Sequence, residues 1–116
     1  MKIAMIIVSS LLALAAVASA SGKLRKSPQV IGTLTRVGVK ESQMPLLALL
    51  EIAGGAGLLV GFAVKDVGRL AAAGLVLYFA GAVAAHLRVK DSVALYAPAA
   101  FLLALSVAAL VVQVGR

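Results

Sequence analysis

Four apolar runs, each close to the length that crosses a bilayer, govern what this chain can fold into. They are residues 3–20 (IAMIIVSSLLALAAVASA), 45–64, 70–87 (LAAAGLVLYFAGAVAAHL) and 93–112 (VALYAPAAFLLALSVAALVV). A helix rises about 1.5 Å per residue, so ~20 residues cross a ~30 Å hydrocarbon layer. Lipid admits only helices or closed barrels, and barrel strands alternate polar and apolar residues. None of these runs alternates. The links KDVGR (65–69) and RVKDS (88–92) are short, which makes neighbouring helices antiparallel. The expected fold is an all-α integral membrane four-helix bundle, up-down-up-down, forming one domain over residues 1–116. A hydrophobic content of 63% and a mean hydropathy of +1.12 exceed what a water-soluble domain carries.

The first run admits two readings. Lys2 ahead of it and Ala18-Ser19-Ala20 behind it fit a secretory signal with a small-residue cleavage site. One Lys is a weak n-region and Ala/Ser triplets are common in an Ala-rich chain, so a retained first span, which leaves the bundle with four helices, is the expectation carried forward. Residues 21–44 form the one substantial connection. Pro28 suits a first helical turn, and Val30, Ile31, Leu34 and Val37 recur at helical spacing up to Gly38. That pattern predicts a short amphipathic helix on the membrane surface, against the alternative of an irregular basic loop.

The net charge is +7, yet the cations sit between the apolar runs. They read as a topology signal, and nucleic acid is not an expected partner; the lipid bilayer is. Lys23, Arg25, Lys26, Arg36, Lys40, Arg88 and Lys90 fall on one side, and Lys2, Lys65, Arg69 and Arg116 on the other. The first and third connections are therefore expected in the cytoplasm, with both termini outside, in a bacterial inner membrane. The chain has no cysteine, which excludes disulfides, thiol redox chemistry and thiolate metal sites.

Glu51 lies inside the second run, PLLALLEIAGGAGLLVG. A charge at mid-bilayer costs ~2.5–3.5 kcal/mol on insertion scales, so such residues face the bundle interior and find a partner. The antiparallel order brings Lys23, His86, Arg88, Tyr96 and Pro98 to the same leaflet. Two readings stand. In one, Glu51 and His86 tie helices together while Lys23 or Arg88 reaches for the interface. In the other, Lys23, Glu51, His86 and Tyr96 line a pocket for a quinone-like or lipid-like ligand, or a proton path, because a quinone head needs donors and a proton-exchanging group. One His and one Glu are too few for a conventional closed metal site. Gly57 and Gly61 form a G-x-x-x-G pair, with Gly74, Gly81 and Ala85 as its expected matching face and a homodimer as one use of it. No phosphate loop, dinucleotide fingerprint or hydrolase triad is present, so any redox role needs a partner or cofactor.

The segments SGKLRKSPQVIGTLTRVGV, PLLALLEIAGGAGLLVG, LVLYFAGAVAAHLR and YAPAAFLLAL, in this order, resemble the DoxX-like family of small bacterial membrane proteins. The matching features are the Lys after the first span, the Pro ahead of the second, the Glu within it, the His-Leu-Arg closing the third and the Pro early in the fourth. The resemblance covers nearly the whole chain. It implies a four-helix membrane bundle in which Lys23, Glu51 and His86 fit the family pattern. Some relatives are described as subunits of a thiosulfate:quinone oxidoreductase or as membrane partners in redox-stress complexes. The resemblance thus implies an accessory or quinone-linked component of a membrane redox assembly. The alternatives are a non-catalytic assembly partner of another membrane protein, or a small transporter of protons or lipophilic solutes.

Overall fold

The computed structural model describes residues 2–115; Met1 and the expected topology charge Arg116 lie outside the described residues. Four long helices, α1 (Lys2–Leu24), α3 (Met44–Val60), α4 (Lys65–Arg88) and α5 (Val93–Val114), are apolar and long enough to cross a membrane. A short helix α2 (Pro28–Arg36) and a 3-10 turn (Glu41–Gln43) separate the first two. The long helices form a ring in which α1 packs on α3, α3 on α4, α4 on α5 and α5 back on α1.

Each helix buries one stripe. On α1 it runs Met5, Ser9, Leu12, Ala16, Ala20 and Lys23; on α4 it runs Gly68, Ala72, Leu75, Phe79 and His86. Leu12, Leu58, Leu75, Phe79 and Leu102 fill the centre. The outer faces carry exposed Ile, Leu, Val and Phe, as lipid contact requires. Lipid tails are as apolar as these side chains, so the bundle is held by close packing and interhelical hydrogen bonds rather than by hydrophobic burial.

The ring has two unlike ends. Where α3 turns into α4 the backbones almost touch: a Cβ built on Gly61 would fall 2.3 Å from the Gly68 Cα, and one on Gly57 would fall 2.8 Å from the Ala71 Cβ. The turn is made at residues 61–63, so residues 65–69, expected as a link, are the first turn of α4, with Asp66 favourably placed at its positive end. Gly68 and Ala71 are the matching face for Gly57 and Gly61; a Cβ on Gly74 or Gly81 would meet nothing within 4 Å. The G-x-x-x-G face is consumed inside the monomer, which corrects its expected use in a homodimer. At the same end the buried Gln113 amide donates to Ser9 Oγ at 3.0 Å and stitches α5 to α1, while Arg69 Nε donates to the Gln113 carbonyl at 3.2 Å.

At the other end three helices stop the same way. After α1, Ser27 N–H bonds to the Gly22 carbonyl; after α2, Val39 N–H bonds to the Leu34 carbonyl; after α4, Asp91 N–H bonds to the His86 carbonyl. These are Schellman closures, with Lys26, Gly38 and Lys90 in the left-handed conformation at φ 51°, 95° and 57°. Each closure folds the chain sharply back, and together they crowd α2 and both connections over this end of the ring.

Candidate functional site

Lys23 occupies the last turn of α1, where a cation is favoured, and its Nζ donates to Glu51 Oε1 of α3 at 2.6 Å and to Ser19 Oγ at 3.0 Å. Glu51 is fully buried and the Lys23 side chain is 11% exposed. The second carboxylate oxygen, Oε2, has no hydrogen-bond partner among the described residues. Tyr78 of α4 lies beside this pair: its ring centre is 6.0 Å from Lys23 Nζ, its hydroxyl is close enough to Glu51 to feel the carboxylate, and Phe79 meets its ring edge-on at 5.0 Å.

His86 ends the buried stripe of α4. The Schellman closure at Lys90 returns Asp91 beneath it, and His86 Nδ1 sits 2.6 Å from Asp91 Oδ2. The Asp91 carboxyl is held below the usual carboxylate range, first by the hydrogen bond from His86 and then by Arg36. An ionised carboxylate only accepts, so Nδ1 carries the proton and Nε2 is the ring nitrogen left to exchange one. Arg36 completes the group from α2, with Nε 2.9 Å from Asp91 Oδ1 and Nη2 3.1 Å from Oδ2. Arg88 returns the favour across the same seam, donating to the Val37 carbonyl at 2.9 Å; a Cβ on Gly38 would stand 3.1 Å from that guanidinium.

Between these two polar groups lies a cavity of about 590 Å³. Gly81, Ala82 and Ala85 of α4 and Ala94, Pro98 and Ala99 of α5 line it with small side chains that leave the space unfilled. Val30 and Leu34 of α2, with Val37 just past its end, form the roof. The expected amphipathic helix is therefore present, with its apolar face turned onto the cavity. Lys23, Ser19, Tyr78 and His86 supply polar atoms at the wall, and Thr33 and Gln29 at the roof. Pro98 sits past the first turn of α5 and cannot donate to the Ala94 carbonyl, which frees an acceptor in a residue that also lines the cavity.

The structure thus brings Lys23 and Glu51 into contact and places Lys23 and His86 on one cavity. Glu51 stands behind Lys23, outside the lining. Tyr96 is half-buried on α5 and does not line the cavity. Sequence reasoning missed Tyr78, Asp91 and Arg36. The signal for Asp91 was its spacing of five residues from His86, the distance at which a Schellman turn returns the chain.

A family model described as the DoxX-like family matches residues 7–109. No curated protein and no solved structure matches the chain.

Proposed function

The chain belongs to the DoxX-like family of membrane proteins, and from that premise we propose that it binds a quinone-like ring in the cavity beneath α2 as an accessory component of a membrane redox assembly. The observation that carries this reading is the His86–Asp91 dyad bordering a largely apolar chamber. A volume of about 590 Å³ lies within the ~300–1,000 Å³ range of small-molecule sites, which combine apolar walls with few polar groups. A quinone supplies two carbonyl acceptors and reversible proton-coupled reduction. His86 Nε2 would exchange a proton with one carbonyl, Asp91 holds the ring of His86 in place, and Arg36 balances the charge of Asp91. Lys23, fixed by Glu51 and Ser19, would donate at the other end of the head. With no cysteine and a single histidine, the chain supplies binding and proton-handling groups, and electrons come from a partner. The excess of Lys and Arg beside α2 supports a cytoplasmic position for that end in a bacterial inner membrane.

The test is native mass spectrometry of the protein in nanodiscs titrated with a prenylated benzoquinone. A one-to-one adduct is expected, lost in His86→Gln and kept in Glu41→Gln, a residue outside the cavity lining. If the wild type takes up no quinone and carries a stoichiometric protein partner instead, the assembly-partner reading replaces this one.

A further inference from the structure

Two walls of the cavity are interrupted interior stripes. On α4 the position between buried Phe79 and buried His86 on the same face is Ala82, which is only half-buried because the cavity lies before it. On α5 the stripe of Leu102, Ser106, Ala109 and Gln113 extends back to Ala99, half-buried for the same reason. The hollow therefore reaches the inside of the ring. Six of its lining residues are also exposed: Gln29 on α2 at the roof, Gly81 on α4, Ala18 on α1, and Ala94, Leu95 and Pro98 on α5, so that half of them lie on α5 and a fourth faces it from α1. Helices α1 and α5 are ring neighbours, stitched by Gln113 and Ser9 at the far end, and theirs is the sparsest of the four contacts that make the ring. Ala18 lies six residues before the end of α1 and so about 9 Å inside the span. The gap it borders faces hydrocarbon.

Toward water the same hollow is roofed. Arg36 grips both oxygens of Asp91, Arg88 holds the Val37 carbonyl, and at the other end of α2 the Gly22 backbone packs against Val30, where a Cβ would stand 3.4 Å from Val30 Cγ2. Lys23 and Arg36 at the head end are paired with Glu51 and Asp91, and Arg88 is occupied by the Val37 carbonyl, so the cations there are already engaged and a hydrogen-bonding head suits the site.

We infer that the cavity is filled sideways from the bilayer, through the gap between α1 and α5, by a membrane-dissolved amphiphile with an uncharged hydrogen-bonding head and a hydrocarbon tail. The head reaches the wall formed by His86 and Lys23, the tail stays in the gap, and α2 remains latched throughout. This rests on the cavity and not on the quinone reading.

Labelling of a single engineered thiol tests it, because the chain has no cysteine of its own. Ala82→Cys in liposomes is treated with a series of N-alkylmaleimides and, separately, with a charged trimethylammonium methanethiosulfonate; intact mass gives the rates. Entry through lipid predicts a maleimide rate that rises about fourfold per added methylene, following its partition into the bilayer, and slow reaction with the charged reagent. Arg36→Gln unlatches the roof and is expected to speed the charged reagent with little change for the maleimides. Ala99→Cys reports from the α5 wall if Ala82→Cys fails to accumulate. Rates independent of chain length, or equally fast charged labelling in the latched protein, overturn the lateral route. Continued exclusion of the charged reagent after Arg36→Gln overturns the role given to the latch. A chain that labels as expected yet takes up no quinone retires the quinone reading and leaves this one standing.

Discussion

Glu51 and Lys23 offer the sharpest test of how the bundle is held. The pair is buried, 2.6 Å apart, with Glu51 fully sealed and one of its oxygens unbonded among the described residues. Removing one member of such a pair leaves an uncompensated charge and costs about 3–5 kcal/mol, while replacing both with apolar residues of similar volume is often neutral or better. The two single variants are not equivalent here. In Glu51→Leu the ammonium that remains stands in the last turn of α1, keeps Ser19, and has a four-carbon stem able to carry it toward the interface. In Lys23→Met the carboxylate that remains sits inside α3 with no such escape. We therefore expect Glu51→Leu at the low end of the range, near 3 kcal/mol, and Lys23→Met at the high end, near 5 kcal/mol. The double variant loses both charges and the orphaned oxygen, itself worth about 1–3 kcal/mol, and is expected at or above wild-type stability. Thermal unfolding in one detergent, followed by helical circular dichroism, reads this as drops of roughly 10 °C or more in the singles and recovery in the double. Additive losses in the double variant, or a Glu51→Leu protein as stable as wild type, would show that the pair is not the coupling described above.

Three further outcomes follow from the geometry. Gly61→Ala drives a methyl into the Gly68 backbone and should cost about 1–3 kcal/mol, whereas Gly74→Ala, with open space around it, should gain up to ~1 kcal/mol from helix propensity; thermal unfolding compares them. Lys90→Gly removes a side chain from the left-handed position that closes α4 and should add about 1 kcal/mol, measured the same way. The Asp91 carboxyl is depressed below its ordinary value of 3.8, so its contribution to holding α2 is fully present above that value and is lost as pH falls through the lower, folded value. Hydrogen exchange should therefore show α2 protected at pH 6 and loosened in strong acid, ahead of the long helices; simultaneous loss everywhere would refute the latch.

Run length and the absence of alternation were enough to read the membrane bundle, and Pro28, Leu34 and Gly38 were enough to read α2. Antiparallel order placed Lys23 in the leaflet of Glu51, but it placed His86, Arg88 and Tyr96 there as well, so the pairing of Lys23 with Glu51 was not legible in the sequence. Other features were hidden for physical reasons. Asp91 looks like an ordinary solvated link residue, and the turn that carries it back uses Lys90 where glycine would have announced a left-handed position. Gly74 and Gly81 could not be told from Gly68 and Ala71, because α4 carries small residues on several faces and spacing alone does not say which face meets α3. Tyr78 sits in the middle of an apolar run with nothing in the sequence to mark it; only its neighbours make it part of a site. The cavity is a property of what Ala82, Ala85, Ala94 and Ala99 fail to fill, and a string of alanines reads equally well as tight packing.

The latch between Arg36 and Asp91 spans 55 residues, whereas the bond between Lys23 and Glu51 spans 28. At a synthesis rate of about 5–20 residues per second, Glu51 follows Lys23 out of the ribosome by roughly 1–6 s, and Asp91 follows Arg36 by roughly 3–11 s. The first hairpin can thus neutralise its charges while the rest of the chain is still being made, but α2 waits for the third connection before anything holds its far end. A nascent chain stalled just short of Asp91 should present α2 to protease, and one extended through α5 should not. The order of emergence makes the chamber wait for α5, and the bond from Gln113 to Ser9 at the far end, which spans 104 residues, closes later still.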